Sequence, residues 1–273
     1  MHKPMRRDDA LRAIEQTGCF ESVRWVHEVD STNRALAREL KSDSPPALPT
    51  LLIADQQTAG VGRGANAWWS PKGCLMFSMA MPWSIPEQAR ATIPLQVGLA
   101  VAQSLSEWSI EQPKVKWPND VYIEDRKVCG ILIESSTLRT GVRAEEYAII
   151  GIGINCRIDW TGAPDELRAS AISLHEAVPK SLTDSLSPES VLVAVLNHWR
   201  QTIKRSIADP QWLQKEWPDW SWLDGRWVEI TTGGEALIGI ATGIDTSGAL
   251  RITDQFGRTH SILSGTVRIL RDA

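Results

Sequence analysis

The chain has 273 residues, 42% hydrophobic and 23% charged, with a net charge of −4 and a pI near 5.8. This length allows one large domain and a small one, and the composition is that of a soluble globular protein. An acidic chain without an extended basic cluster is a poor nucleic-acid binder, so we expect no nucleic-acid partner. No apolar run is long enough for a signal peptide or a membrane span, so we expect no membrane association.

Cysteine and histidine usage argues against disulfides and a protein-held metal. The four cysteines, Cys19, Cys74, Cys129 and Cys156, are scattered and form no C-x-x-C pair. This usage is typical of a reducing compartment, so we expect a cytoplasmic protein. None of the five histidines is paired at a metal-ligand spacing. We therefore predict no metal site built from protein ligands.

Helix and strand patterns alternate through the first half of the chain. Asp8 or Asp9 is expected to cap a helix that ends near Gln16, and Ser31 or Thr32 to cap a second helix. We predict strands over 23–29, 51–54 and 75–81, and a long third helix over 93–108.

The second half changes character after Trp222. Before it, we predict a hairpin over 121–134 with its turn at 124–127, a strand over 147–155, and a helix from Ser187–Pro188 to about 203. After it, short β-type runs are separated by turn sequences, which predicts a small closed barrel. We place the domain boundary between residues 222 and 223. The turn sequences lie at 231–234, 245–248, 255–257 and 264–265.

The most informative motif is Lys116-Trp117-Pro118-Asn119-Asp120, which lies between two short apolar runs. Proline cannot donate to a strand ladder, so a break is expected here. A cation beside apolar strands is costly without a partner, so the motif alone indicates either a ligand-binding turn or a solvated turn whose lysine reaches water.

A glycine-rich loop follows the second strand. Residues 60–65 formally match the dinucleotide pattern G-x-G-x-x-G/A, but Asn66 to Pro71 follow instead of a helix. The loop also lacks the Gly-Lys-Ser/Thr ending of a Walker A motif. Its N–H groups and the Arg63 guanidinium can instead hold a phosphate, and the loop can close over a ligand.

Four segments in this order resemble the biotin protein ligases (biotin–acetyl-CoA-carboxylase ligases): Asp30–Asn33, Gln57–Gly64, Lys116–Asp120 and Gly151–Asn155, with Arg126–Glu134 adding to the match. The resemblance implies an α+β fold: a mixed sheet flanked by helices, as in class II aminoacyl-tRNA synthetases, over residues 1–222, and an SH3-like β-barrel over 223–273. It also implies the monofunctional type, since only some two dozen residues precede Trp25, too few for the DNA-binding domain of bifunctional members.

The same resemblance assigns residues to two ligands. Position 61 departs from the family, which usually has arginine where this chain has valine. One contact to a phosphate or carboxylate of the ligand is therefore missing. The glycines at 130, 151 and 153 lie in strands, where glycine often marks the close approach of a ligand or another backbone. The implied biotin-binding residues are Ser31, Thr32, Asn33, Gln57, Gly60, Val61, Gly62, Arg63, Lys116, Gly130, Gly151 and Gly153, and the implied adenylate-binding residues are Arg63, Trp68, Lys116, Asn119 and Asn155.

The implied reaction is ATP-dependent activation of biotin as biotinyl-5′-AMP, followed by transfer to a lysine of a biotin carboxyl carrier protein. Lys116 and Arg63 are the expected catalytic cations, and Mg²⁺ would accompany ATP, with Asp120 a further polar group near it. We expect a monomer or weak homodimer.

Three alternatives compete with this interpretation. A lipoate-protein ligase or octanoyltransferase of the same fold could use Cys129 or Cys156 as a nucleophile, although a small buried cysteine explains either residue more simply. A non-catalytic biotin-binding module is suggested only by Val61, and the retention of Lys116 and Arg63 argues against it. A DNA-binding repressor is disfavoured by the short N-terminal segment.

Overall fold

The computed structural model describes residues 4–64, 66–83, 85–140 and 143–271, and its larger part is built on a mixed seven-stranded sheet. The strand order is β1-β2-β3-β7-β6-β5-β4. Only the β1–β2 pair is parallel among the pairs of this sheet in the described residues. The strands are β1 Ser22–Val29, β2 Thr50–Gln57, β3 Cys74–Pro82, β4 Lys114–Lys116, β5 Asp120–Ile123, β6 Arg126–Thr140 and β7 Arg143–Asn155.

Helices cover both faces of this sheet because its central strands are apolar on both faces. Leu51 and Ile53 of β2 join the large core that contains α3 and α6, whereas Leu52 joins a smaller cluster beneath α2. The helices are α1 Arg7–Gln16, α2 Thr32–Glu39, α3 Ile93–Leu105, α4 Asp165–Ser170, α5 Leu174–Ala177, α6 Pro188–Ala208 and α7 Trp212–Trp220, with 3-10 turns at Glu87–Thr92 and Ser106–Trp108.

The C-terminal part is a five-stranded antiparallel sheet in the order β11-β10-β9-β8-β12. Its inward-facing residues, among them Val228, Ile230 and Leu250, belong to the same continuous core as the larger sheet. The strands, which alternate with the predicted turns, are β8 Trp227–Thr232, β9 Glu235–Ile244, β10 Leu250–Thr253, β11 Thr259–Ile262 and β12 Thr266–Arg271.

Several sequence predictions require correction at element boundaries. Helix α1 begins at Arg7 with Arg6 at the N-cap, so Asp8 and Asp9 lie in its first turn, near the positive end of the helix dipole. The β5–β6 turn is tighter than predicted, because Glu124 and Asp125 both have positive φ, as in a two-residue hairpin loop. Helices α4, α5 and α7 were not predicted; α4 and α5 are short, and α7 contains an internal proline that obscures its pattern.

No helix in the described ranges combines the length and apolarity needed to cross a membrane. The four cysteines are free, and three of them are buried.

Candidate functional site

One cavity of about 440 Å³ lies between strands β6 and β7 of the large sheet, the glycine-rich loop and the start of β12 in the C-terminal sheet. It gathers almost all of the site residues that the sequence suggested, although they come from segments far apart in the chain. Those lining it are Ser31, Thr32, Asn33, Gln57, Val61, Gly62, Arg63, Trp68, Lys116, Asn119, Gly130, Gly151 and Gly153.

The inner end of the cavity is a largely buried network of hydroxyl and amide side chains at the start of α2, joined by the carboxylate of Glu134. Ser78 Oγ donates to Asn33 Oδ1 at 2.6 Å and lies 2.7 Å from Thr32 Oγ1. Asn33 Nδ2 donates to the Glu134 carboxylate at 2.7 Å. Gln57 Oε1 accepts from both the backbone N–H and the hydroxyl of Thr32, at 2.7 and 3.1 Å. The side chains are therefore oriented before any ligand binds.

Gln57, rather than Ser31, satisfies the first free N–H of α2. Ser31 has the extended backbone of an N-cap residue, but its side chain makes no capping hydrogen bond. The expectation that Ser31 or Thr32 caps the helix is wrong in this respect, because a side chain from β2 does so instead. The buried Ser31 side chain lines the cavity.

Two glycines of β7 make room for side chains that form the cavity wall. A Cβ on Gly151 would overlap Asn33 Oδ1, and one on Gly153 would lie 2.5 Å from Trp68 Cε2. Gly130, opposite Gly153 across β6 and β7, would bring a Cβ to 2.9 Å from the same indole. The predicted close approach is therefore present, but side chains of this chain make it.

The glycine-rich loop folds into a small hairpin over the cavity. Val61 pairs with Ala67, Gly62 N–H donates to Asn66 O at 2.8 Å, and Trp68 N–H donates to Gly60 O at 3.0 Å. This geometry places the Trp68 indole inside the cavity. Gly60 is not among the lining residues; it forms the base of the hairpin, where its Cβ would lie 2.7 Å from Trp68 O.

Arg63, at the tip of this hairpin, reaches the C-terminal sheet. It is exposed, and its Nη2 donates to Gly265 O at 3.0 Å across 202 positions of sequence. Gly265, Thr266 and Val267 complete the cavity wall on this side. Sequence reasoning did not assign these three residues to the site, since no local pattern links a turn at 264–265 to a loop at 60–68.

Lys116 ends β4 on the opposite side of the cavity and is half-buried. Its Nζ donates to the Tyr122 hydroxyl at 3.2 Å and lies 4.9 Å from the ring centroids of Tyr122 and Trp222. Burial lowers the pKa of Lys116, a shift that nearby Asp120 opposes and Lys127 reinforces.

A second lysine enters the cavity without having been predicted. Lys127 pairs with Asp120 at 2.7 Å, and its Nζ lies 5.6 Å from the Trp68 ring centroid. Asn119 donates from Nδ2 to Ile131 O at 2.7 Å, which ties the β4–β5 turn to β6. Lys127 belongs to the Arg126–Glu134 segment, and membership of that segment is the sequence feature that could have identified it as a site residue.

Asn155 is the other predicted residue that does not line the cavity. Its side chain is buried and donates to the carbonyls of Ile172 and Lys127, at 3.2 and 3.3 Å. In this conformation it braces the end of β7, and a ligand contact from it stays a prediction.

The cysteines close to this region are poorly suited to nucleophilic chemistry. Cys129 and Cys156 are fully buried, and burial raises the pKa of both thiols well above the ordinary value. Cys74 is similar, with its pKa raised by burial to about 12.

Comparisons with known proteins agree with this geometry. The model of the biotin/lipoate A/B protein ligase family matches residues 25–155. The chain is 31% identical over 232 residues to the bifunctional ligase/repressor BirA of Bacillus subtilis, covering 85% of this chain and 69% of that protein. It is 32% identical over 230 residues to the biotin–[acetyl-CoA-carboxylase] ligase of Mycobacterium tuberculosis, covering 81% and 79%.

A solved structure extends the similarity to the three-dimensional fold. The biotin protein ligase of Aquifex aeolicus in complex with biotin and ATP superimposes with a TM-score of 0.74 at 28% identity, covering 93% of this chain and all of that one. With relatives above 30% identity matched over more than two thirds of their length, the chain belongs to the biotin/lipoate A/B protein ligase family.

Proposed function

We propose that this chain is an ATP-dependent biotin protein ligase that forms biotinyl-5′-AMP and transfers biotin to a lysine of a biotin carboxyl carrier protein. The observation that carries the proposal is the lining of one cavity: a hydrogen-bonded network of hydroxyl and amide side chains at its inner end, and the two cations Lys116 and Arg63 elsewhere on its wall. Relatives named as biotin ligases, and a similar structure with biotin and ATP, support the same activity.

The hydroxyl and amide side chains at the inner end of the cavity suit the ureido ring of biotin. A ureido group offers N–H donors and a carbonyl acceptor, and Ser31, Thr32, Asn33 and Gln57 present hydroxyls and amides of both kinds. Because hydrogen bonds among Thr32, Asn33, Gln57 and Ser78 already fix those side chains, little of their ordering entropy is lost when the ring binds. Gly60, Val61, Gly62, Gly130, Gly151 and Gly153 are the remaining residues proposed for biotin.

The two cations suit the carboxylate of biotin and the phosphates of the nucleotide. In the first step a biotin carboxylate oxygen attacks the α-phosphorus of ATP, the bond to the bridging oxygen breaks, and pyrophosphate leaves. Lys116 and Arg63 stabilise the negative charge on the phosphoryl oxygens as this bond breaks. The Trp68 indole offers a stacking surface for adenine, and Asn119 and Asn155 are proposed as further polar partners.

Mg²⁺ is proposed to accompany ATP, held by its phosphates and by water. Across the described residues no group of three or more His, Cys, Asp or Glu side chains is placed to bind a metal. Asp120, already paired with Lys127, is the carboxylate that the cavity offers. A hydrated ion carried by the nucleotide fits this donor set better than a protein-held ion.

In the second step, a lysine amine of the carrier attacks the acyl carbon of the mixed anhydride, AMP leaves with the bonding electron pair, and an amide forms. No enzyme nucleophile is needed, since the substrates supply both reacting groups. The high pKa values of the buried thiols agree with this route and disfavour a cysteine-dependent acyltransferase.

The decisive assay is pyrophosphate release from ATP with biotin, lipoate or octanoate as the acyl donor and without any carrier. We expect release with biotin, dependent on Mg²⁺ and abolished by chelation. Release with lipoate but not with biotin would replace the proposal with lipoate activation, and biotin binding without release would leave only a binding module.

A further inference from the structure

Two aromatic rings from different parts of the chain contact the Lys116 ammonium. Its Nζ is 4.9 Å from the ring centroid of Tyr122 and 4.9 Å from that of Trp222, and it donates to the Tyr122 hydroxyl at 3.2 Å. The two rings contact each other, with centroids 4.8 Å apart and planes inclined by 37°. Such an arrangement attracts a cation through the ring faces, most strongly where water is partly removed.

Strand register places the first ring. In the β4–β5 pair Lys116 lies opposite Asp120, so Tyr122, two residues further along β5, is a diagonal neighbour on the same face. Diagonal pairs are within reach of long and aromatic side chains. The contact between Lys116 and Tyr122 thus follows from a short hairpin in which every residue is paired.

The segment between the two sheets places the second ring. Ser221 forms a parallel bridge with Val115, the residue before Lys116, and Trp222 N–H donates to Val115 O at 2.9 Å. The Trp222 indole N–H donates to the Asp125 carboxylate at 2.7 Å, and the Arg226 guanidinium lies 4.5 Å from the ring centroid. Trp222 is therefore fixed by three contacts: its backbone N–H, its indole N–H and the face of its ring.

We propose that Tyr122 and Trp222 are positioning residues for Lys116, which hold its ammonium toward the reacting phosphate; this rests on the proposed function. A free lysine side chain has four rotatable bonds, and ordering it at the moment of reaction would cost entropy. The two rings impose that order in advance, as a site that stabilises developing charge requires.

Neighbouring charges do not replace this restraint. Asp120 is the carboxylate opposite Lys116, but it is paired with Lys127 at 2.7 Å. The Lys116 ammonium is therefore positioned by the two rings and the Tyr122 hydroxyl. Because these contacts are weak, the ammonium can still bind a phosphate.

The test is an aromatic series measured by single-turnover formation of biotinyl-5′-AMP. We expect Trp222→Leu and Trp222→Met to slow adenylation about 5- to 30-fold, and Trp222→Phe and Trp222→Tyr to restore most of the rate, because only aromatic rings attract a cation. Tyr122→Phe, which removes only the hydroxyl, should slow it about 3- to 10-fold. Biotin affinity, measured separately by calorimetry, should change little.

Trp160→Leu is the matched control for the tryptophan. Trp160 is also half-buried, stacks on another aromatic ring and donates its indole N–H to a carboxylate, but it lies away from Lys116. Tyr147→Phe is the control for the tyrosine. Both controls should adenylate biotin at the rate of the parent protein. Equal rates for Trp222→Leu and the parent, or no recovery with Phe or Tyr, would overturn the proposal.

A second measurement does not depend on catalysis. Ring currents from Tyr122 and Trp222 should shift the ε-methylene protons of Lys116 upfield in the NMR spectrum of labelled lysine, with the signal assigned by its loss in Lys116→Arg. Trp222→Leu should move it toward the other lysines. An unshifted signal in the parent would refute the contact. A shifted signal in a parent that releases no pyrophosphate would support the contact and reject the proposed function.

Discussion

The two walls of the cavity are built in different ways. The sheet wall, defined as Lys116, Gly130, Gly151 and Gly153 with Asn33 packed on it, belongs to strands and a helix start whose backbone is paired throughout. The loop wall, defined as residues 60–64 and 66–68, is a hairpin that contacts the rest of the protein mainly through the half-buried Trp68 side chain and the Arg63–Gly265 hydrogen bond. The sheet wall is thus held by strand pairing, and the loop wall by fewer contacts.

This difference assigns different roles to the two cations. Lys116 is half-buried and held by two rings, as expected of a group that must already be in place when charge develops. Arg63 is exposed and binds a backbone carbonyl that a phosphate could replace. We infer that changes in the sheet wall alter the chemistry strongly, whereas changes in the loop wall alter ligand retention more modestly.

The largest effect is expected at Lys116. Because a charge-assisted hydrogen bond is worth about 1.5–3 kcal/mol, Lys116→Ala should slow biotin-dependent pyrophosphate release at least tenfold with the fold intact. Lys114→Ala is the matched control, since this lysine lies two residues earlier on the same strand and donates to Asp219 O instead. An unchanged rate in Lys116→Ala would remove Lys116 from the mechanism.

The two glycines of β7 should separate the two ligands. Gly151→Ala pushes Asn33 out of its network, whereas Gly153→Ala displaces the Trp68 indole. We expect Gly151→Ala to weaken mainly biotin binding, and Gly153→Ala, although Gly153 is also proposed for biotin, to weaken mainly ATP binding through Trp68, each about tenfold, since overpacking of this kind costs roughly 1–3 kcal/mol. Both variants are titrated with biotin and with ATP by calorimetry, so that each variant is the control for the other. Equal losses of both ligands in both variants would show that the cavity is not divided in this way.

An effect of similar size, on retention of the adenylate, is expected at the tip of the loop. Arg63→Gly removes the guanidinium and its link to Gly265, so biotinyl-5′-AMP should dissociate about tenfold faster and label bystander lysines. Arg63→Lys should be intermediate, because an ammonium keeps the charge but not the bidentate fork. The measurement is labelling of an unrelated protein mixed with the enzyme, biotin and ATP. Labelling as selective as in the parent would show that Arg63 is not the retaining group.

Local patterns predicted the strands and the site motifs but not how the motifs meet. The break at Pro118, the helix start at Ser31–Thr32 and the C-terminal turns were all visible in the sequence, because each depends on a few adjacent residues. The cap that Gln57 provides to α2 and the bond from Arg63 to Gly265 join positions 25 and 202 residues apart. Such contacts have no local signature. The glycines of β7 were recognised as unusual, but only the fold shows that Asn33 and Trp68 occupy the space.

The smallest effect concerns Val61, where the family usually has arginine. Val61 is half-buried, lines the cavity and pairs with Ala67, so its side chain already contributes part of the roughly 1.5 kcal/mol of a buried valine. A new charge-assisted contact would add about 1.5–3 kcal/mol, which exceeds that loss. Val61→Arg should therefore tighten biotin binding about threefold to tenfold, measured by calorimetry with and without a non-hydrolysable ATP analogue. Ala59→Arg is the control, since it adds the same charge to the loop outside the cavity lining. Equal or weaker binding by Val61→Arg would mean that the hairpin is built around the valine, with its contact to Ala67 worth more than a charge at that position.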